Sequence, residues 1–398
     1  MKIYNMGSLN IDYVYRVPHF VQPGETISSY GREIFAGGKG LNQSIALARA
    51  GAQVIHGGMI GPDGAFLKEL LEDSGVDTTH ICTLQEASGH TVIQVDEQGQ
   101  NCIILYAGTN HCVTKAYLDE LLKDASAGDF MLINCLNEAM EIAHKKKMYI
   151  AFNPSPISKE LFTLPLSYVD WWFCNEIEGA ILFGKNQKQK MADQIAMDPE
   201  KIMQQFQKQY PQSHLILTLG KKGSYYCDKK DILFQPAFEV KAIDTTAAGD
   251  TYSGYFLADL AGGKNISDAL KDASLAASIC VTRKGAAPSI PYKKEIENLE
   301  QNNKIKNKGM NNMDLKRITS GFIVAISVAI MLLIPNKYVI GLLLAIIALV
   351  AMHEYLKAIS KVCTPIKWVA YLSCLSVAAV NFIPEQNMLK AIMMFLPI

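Results

Sequence analysis

The chain has 398 residues, and its 38 Lys and Arg balance 38 Asp and Glu, so the formal net charge at pH 7 is zero. A single hydrophobic core stops growing near ~250–300 residues, and this length therefore implies one large domain with at least one further unit. No basic stripe is present to neutralise a run of phosphates, which excludes nucleic acid as the expected partner.

The N-terminus, MKIYNMGSLNID, leads straight into an apolar strand without the apolar core and cleavage site of a signal peptide, so this part of the chain is expected in the cytoplasm. Residues 12–35 alternate apolar and polar side chains without an intervening helix, and so do residues 89–107. Both fit a small antiparallel sheet with one wet face, suited to a lid. A 3.6-residue period predicts helices over 40–50, 65–74, 199–210 and 249–260, while β-branched runs predict strands over 130–134, 149–152 and 215–219. This alternation is that of an α/β domain built on a largely parallel sheet. The helix expected over 138–146 is short: at ~1.5 Å per residue it spans under roughly 15 Å, marginal for returning along a strand of about five or six residues.

Composition changes near residue 300. The first domain is expected over 1–298, followed by a polar, Asn/Lys-rich linker over 299–316 that has little apolar surface to bury. Residues 317–398 read as an all-α membrane-spanning tail, with uncharged apolar stretches over 318–334, 338–352, 368–384 and 391–398, against the ~20 residues that cross a bilayer. Lys316, Arg317, Lys357, Lys361 and Lys367 would face the cytoplasm, on the same side as the first domain, and Lys337 the other side. The nine cysteines (Cys82, Cys102, Cys112, Cys135, Cys174, Cys227, Cys280, Cys363 and Cys374) form no CxxC pair and read as free thiols in a reducing compartment.

The string Asp244-Thr245-Thr246-Ala247-Ala248-Gly249-Asp250-Thr251 opens the helix expected over 249–260. Small residues at a helix start let backbone N–H groups approach an anion closely, and the helix dipole adds about half a positive charge there. Such donors act where charge develops on a phosphoryl group in flight. Asp250, in the first turn, can take the proton of an attacking hydroxyl. A lone carboxylate at a helix start is more often a stabiliser of the dipole, contributing ~0.3–1 kcal/mol; the full string argues for the chemical role.

DTTAAGDTYSG resembles the ATP-site motif of the ribokinase-like (PfkB-type) carbohydrate kinases, and other motifs follow in that family's order. Gly7-Ser8-Leu9-Asn10-Ile11-Asp12 resembles its first sugar-contacting strand end. Gly37-Gly38-Lys39-Gly40-Leu41-Asn42-Gln43 resembles its second, glycine-hinged motif. The resemblance implies an α/β three-layer sandwich with a small β lid and sugar contacts from Asn10, Asp12, Gly38, Lys39, Gly40, Asn42 and Asp250. Asn175-Glu176-Ile177-Glu178 resembles the family's NxxE motif, implying that Asn175 touches the phosphates and Glu178 holds Mg²⁺ through water. Thr218, Gly220, Gly223 and Ser274, with Ala248, Gly249 and Asp250, would line the ATP site. Asp244, Thr246, Cys280, Arg283, Gly285 and Ser289 would surround an activating K⁺, mostly through carbonyl oxygens.

GGKGLNQ and VTRKGAAPS look more like the ribose-phosphorylating members than those acting on fructose or adenosine, so transfer from ATP to the 5-hydroxyl of ribose is implied, as is a homodimer through the lid. Alternatives are a kinase for another sugar or nucleoside, or a membrane-tethered sugar-binding protein without catalysis. One departure stands out: the position of the family's sugar-facing Glu is Leu136 here, with Glu138 two residues on. The tail has its own likeness, because residues 313–355, ending in His353, Glu354 and Tyr355, resemble the start of a bacterial phosphatidate cytidylyltransferase without its C-terminal catalytic signature. No activity is expected of it, and Met310 or Met313 reads as a former start codon of a second, fused gene.

Overall fold

The computed structural model describes residues 1–134, 137–184 and 198–299, together with 349, 352 and 353. Residues Met1–Leu299 form one compact unit and Glu300–Ile398 a second. The linker, the apolar spans, the cytidylyltransferase likeness, Leu136 and Cys135, Cys363 and Cys374 fall outside the described residues. Among the described residues no helix is long and apolar enough to cross a membrane.

The strands are β1 (Lys2–Met6), β2 (Asn10–Arg16), β3 (Gly31–Gly37), β4 (Gln53–Ile60), β5 (Ile81–Thr83), β6 (Gly89–Val95) and β7 (Asn101–Tyr106) in the first third. They continue with β8 (Phe130–Ile133), β9 (Tyr149–Phe152), β10 (Trp171–Asn175), β11 (His214–Thr218), β12 (Ser224–Cys227) and β13 (Ile232–Gln235). The helices are α1 (Lys39–Arg49), α2 (Ala65–Asp73), α3 (Lys115–Leu121), α4 (Asn137–Lys145), α5 (Glu176–Phe183), α6 (Pro199–Gln209), α7 (Ala248–Ala261) and α8 (Ile266–Cys280). Nine strands make one sheet in the order β13-β12-β11-β10-β9-β8-β1-β4-β5, parallel from β11 to β5 and antiparallel at β12 and β13.

The parallel strands are apolar on both faces, as strands sandwiched between helices must be. Phe130 and Leu132 enter one core with Trp171, Phe173 and Ile216, beneath α1, α2, α7 and α8. Their neighbours Met131, Ile133, Trp172 and Leu217 enter the opposite core, beneath α3 to α6. The result is the three-layer sandwich expected. In the second core the fully buried Trp172 meets Phe152 and Phe183 edge-on, each with ring centroids 5.4 Å away; such pairs add ~0.5–1.5 kcal/mol beyond area burial.

Two local expectations change. The lid is a four-stranded sheet in the order β3-β2-β6-β7, but it is mixed rather than antiparallel, because its central pair β2·β6 is parallel while the flanking hairpins are antiparallel. The cause is topological: β2 and β6 both leave the same rim of the main sheet and so run the same way, starting from the pair Asn10 and Gly89. The short helix α4 also folds fully against its sheet, burying Ala139, Met140 and Ala143. Strand β8 has only four residues, so a nine-residue helix at ~1.5 Å per residue matches its length.

Candidate active site

Parallel strands β1, β8, β9, β10 and β11 end on one rim, where an open α/β sheet places its ligands. Three segments converge there. The first runs from the end of β1 into β2, the second is the glycine turn into α1, and the third is the turn into α7.

The glycine turn is set by close backbone approach. Gly38 has φ +98°, a left-handed conformation that favours glycine, and a Cβ there would stand 2.4 Å from the Ser8 carbonyl oxygen. A Cβ on Gly40 would stand 2.3 Å from the backbone carbon of Gly7. These contacts bring the start of α1 against the end of β1 and aim its first-turn side chains at α7.

What they meet is Asp250. This carboxylate, 6% exposed, lies in the first turn of α7. Oδ2 accepts from Asn42 Nδ2 at 3.2 Å, Oδ1 accepts from Gln43 Nε2 at 3.2 Å, and Lys39 Nζ stands 4.0 Å from Oδ1. Burial pushes its pKa up from the ordinary Asp value, while Lys39 and the two amides pull the other way. The carboxylate is thus oriented by three side chains from one helix turn and keeps a proton more readily than an exposed Asp.

The turn before α7 prepares an anion site. Ala247 takes a left-handed conformation, φ 60°, rare for a residue with a side chain, and its carbonyl accepts from Thr251 N at 2.8 Å. The N–H groups of Gly249 and Asp250 make no hydrogen bond among the described residues. A Cβ added at Gly249 would meet nothing within 4 Å, so this glycine is not required by packing and leaves open space over the helix start. A cleft of about 620 Å³ opens beside it. Its lining includes Thr218, Gly220, Gly223, Ala248, Gly249 and Ser274, all expected ATP contacts, together with Phe238 and Tyr252. Open space, free donors and an adjoining cleft fit a nucleoside triphosphate.

The lid carries the other polar groups. Asp12 Oδ1 accepts from Thr91 Oγ1 at 2.5 Å, and burial raises the Asp12 pKa against the opposing effect of that bond. Asn10 Oδ1 accepts from Asn110 Nδ2 at 2.9 Å, while Asn110 Oδ1 accepts from Leu9 N at 3.0 Å. Asn110 and Gln43 were not singled out in the sequence. Gln43 carried a faint signal as the second of two adjacent amides after the glycine turn. Asn110 lies 100 residues from its partner and carried none.

Asn175 and Glu178 form a reciprocal capping box at the start of α5: Asn175 Oδ1 accepts from the N–H of Ile177 at 3.0 Å and of Glu178 at 2.9 Å, and Glu178 Oε2 accepts from Asn175 N at 2.9 Å. This cap satisfies the helix end and sits beside Thr218, paired with Asn175 across β10 and β11. Among the described residues no cluster of three or more His, Cys, Asp or Glu could hold a metal ion.

Asp244 knots two loops. Its Oδ1 accepts from Thr246 N at 2.9 Å and Thr246 Oγ1 at 2.6 Å, and its Oδ2 accepts from Gly285 N at 3.0 Å. These bonds hold its pKa below the usual value despite partial burial, which acts the other way. Cys280 Sγ lies 3.0 Å from Ser289 Oγ and 3.7 Å from the Thr246 carbonyl oxygen. Asp244, Thr246, Cys280, Gly285 and Ser289 are thus linked by hydrogen bonds, and the backbone of Arg283 joins them, its N–H donating to the Cys280 carbonyl at 3.1 Å. The Arg283 guanidinium forms an ion pair with Glu295.

Residues 2–293 match the family model described as pfkB family carbohydrate kinase. A ribokinase of Haemophilus influenzae is 36% identical over 74% of this chain and 97% of its own length. The crystal structure of ribokinase from Cryptococcus neoformans in complex with ADP aligns with a TM-score of 0.63 at 32% identity, covering 75% of this chain and 99% of that one. The structure of Arabidopsis thaliana ribokinase complexed with ribose and ATP aligns with a TM-score of 0.65 at 27% identity, covering 75% and 98%.

Proposed function

Because the chain belongs to the pfkB family of carbohydrate kinases, we propose that it transfers the γ-phosphoryl group of ATP to the 5-hydroxyl of ribose, with Asp250 as the base. The observation that carries this reading is the juxtaposition in α7: a buried, amide-held carboxylate directly follows the unbonded N–H of Gly249, at the edge of an open cleft.

The hydroxyl oxygen attacks the γ-phosphorus, its proton passes to Asp250, and the bond to the ADP oxygen breaks. Asn42 and Gln43 keep the carboxylate aimed at the hydroxyl, and Lys39 favours its ionised form. The N–H groups of Gly249 and Asp250 meet the charge that spreads over the transferring oxygens. Asn10 and Asp12, held by Asn110 and Thr91, present their polar ends to the sugar from the lid.

Magnesium, needing few protein carboxylates, would be held by Glu178 through water and by the phosphates, and supplies charge neutralisation. A monovalent cation would be held by the loops around Asp244, through backbone carbonyls such as that of Thr246 beside the Asp244 carboxylate, and would order the turn that leads into α7. ADP release coupled to a reporter enzyme should therefore depend on ribose and rise several-fold when K⁺ replaces Na⁺, an increase of about 1 kcal/mol in transition-state stabilisation. Equal rates in the two salts would remove the cation from the account. No ribose-dependent ADP would remove the reaction itself.

The lid also supports a homodimer. By register, Phe35, Leu105 and Ile103 share the face of Asp12 and Thr91, and they are 37%, 54% and 56% exposed. An apolar face of this kind on a small sheet calls for a covering surface, and a second lid is its natural complement. Sedimentation equilibrium should give a dimer, and replacing Ile103 and Leu105 by Glu together should give a monomer. A parent chain that sediments as a monomer at tens of micromolar would contradict this.

A further inference from the structure

Asn134 directly follows β8, and β8 lies between β1 and β9, so this residue stands at the ligand-binding rim between Gly7 and Asn153. Its Nδ2 donates to the Asn153 carbonyl at 3.3 Å. That bond orients the amide, since the flipped form would set oxygen against oxygen. A Cβ built on Gly7 would fall 2.6 Å from Asn134 Oδ1 and 2.6 Å from the Cα of Gly40. The oxygen therefore packs over Gly7, beside the first turn of α1.

Among the described residues Asn134 Oδ1 is shielded and has no hydrogen-bond partner. The amide oxygens of Asn42 and Gln43, on the neighbouring turn, are in the same condition, because their NH₂ groups face Asp250. An unmet buried acceptor costs ~1–3 kcal/mol, so these amide oxygens around one turn, joined by that of Asn5, whose Nδ2 donates to the Gly40 carbonyl at 2.9 Å, mark a place completed by an outside donor. ATP approaches as an anion rich in acceptors. A sugar is rich in hydroxyl donors, and Gly40 and Asn42 already belong to the sugar side of the site.

We propose that Asn134 is a sugar-binding residue, its Oδ1 accepting a hydrogen bond from a ring hydroxyl of ribose other than the one that attacks, while its Nδ2 holds Asn153. The inference rests on the ribose reading above. It is tested with Asn134→Ala in the full chain, comparing ribose with 2-deoxyribose, 3-deoxyribose and 1,4-anhydroribitol, each lacking one ring hydroxyl.

The expected result is a KM for ribose raised about tenfold, the loss of about one hydrogen bond to a buried acceptor, with the KM for ATP unchanged. That penalty should vanish for the one analogue that lacks the donating hydroxyl. An unchanged KM for ribose, or the same penalty for every sugar, overturns the proposal. If the alanine variant does not fold, Asn134→Ser gives the same comparison. A parent chain that fails to turn over ribose overturns the ribose reading and this inference with it, whereas an active parent with an indifferent variant overturns this inference alone.

Discussion

Asp250→Asn is expected to lower kcat for ribose phosphorylation about a thousandfold, within the range for losing a general base, while changing the KM for ATP by no more than about twofold. The amide keeps the shape of the carboxylate and can still meet Asn42 or Gln43, so the loss reports the missing base rather than a collapsed site. A second consequence has the opposite sign. Burial raises the folded-state pKa of Asp250 above its ordinary value, so this group's contribution to stability is fully present below the unfolded pKa and is lost as pH rises through the folded one. At pH values well above the ordinary Asp range this buried carboxyl is therefore a cost to the fold. The Asn variant should melt at a higher temperature than the parent at pH 7.5, with the gap closing as the pH is lowered toward the carboxylate range. Differential scanning calorimetry at pH 7.5 and in the ordinary Asp titration range checks this, and an Asn variant less stable than the parent at pH 7.5 would show that Asp250 is a structural anchor instead.

Gly249→Val separates the anion site from the fold. A Cβ at this position meets nothing within 4 Å, and the first turn of a helix accepts a branched side chain at small cost. The melting temperature should stay within about 2 °C of the parent, a shift of under ~1 kcal/mol. The added methyl groups would nevertheless occupy the space from which the N–H groups of Gly249 and Asp250 reach a phosphoryl oxygen. Turnover should fall about two to three orders of magnitude, as when donors to a developing anion are lost. A variant with parental kcat and KM for ATP would show that the phosphates pass elsewhere.

The α7 motif was legible because its chemistry is local. Small residues, a carboxylate and a helix start lie within eight positions, and no distant partner is needed to recognise them. The glycines at the start of α1 were legible only through the family resemblance, and the close approach of Gly38 to Ser8 and of Gly40 to Gly7 is the physical reason they stand there. Partners brought by the fold from far away were not legible. Asn110 reaches Asn10 and Thr91 reaches Asp12 only after β2 and β6 pair in parallel, a pairing that alternation along each strand cannot distinguish from the antiparallel one.

The same limit explains Arg283 and α4. Arg283 lies in a loop rich in turn residues, and nothing local says that its guanidinium pairs with Glu295, twelve residues on. The adequacy of α4 depended on β8 being one residue shorter than the apolar run suggested. Asn175 and Glu178 show a different ambiguity, because an Asn followed three residues later by Glu at a helix start serves as a capping box and equally well as a site motif.

The central claim is phosphoryl transfer from ATP to the terminal hydroxyl of ribose at Asp250. Incubating the full chain with ribose and ATP labelled at the γ-phosphate, then locating the label by ³¹P NMR and chromatography, tests it most directly. The expected product is ribose 5-phosphate, formed by the parent and formed about a thousandfold more slowly by Asp250→Asn. Label appearing only as inorganic phosphate, or ribose phosphate formed equally fast by the two proteins, would contradict it.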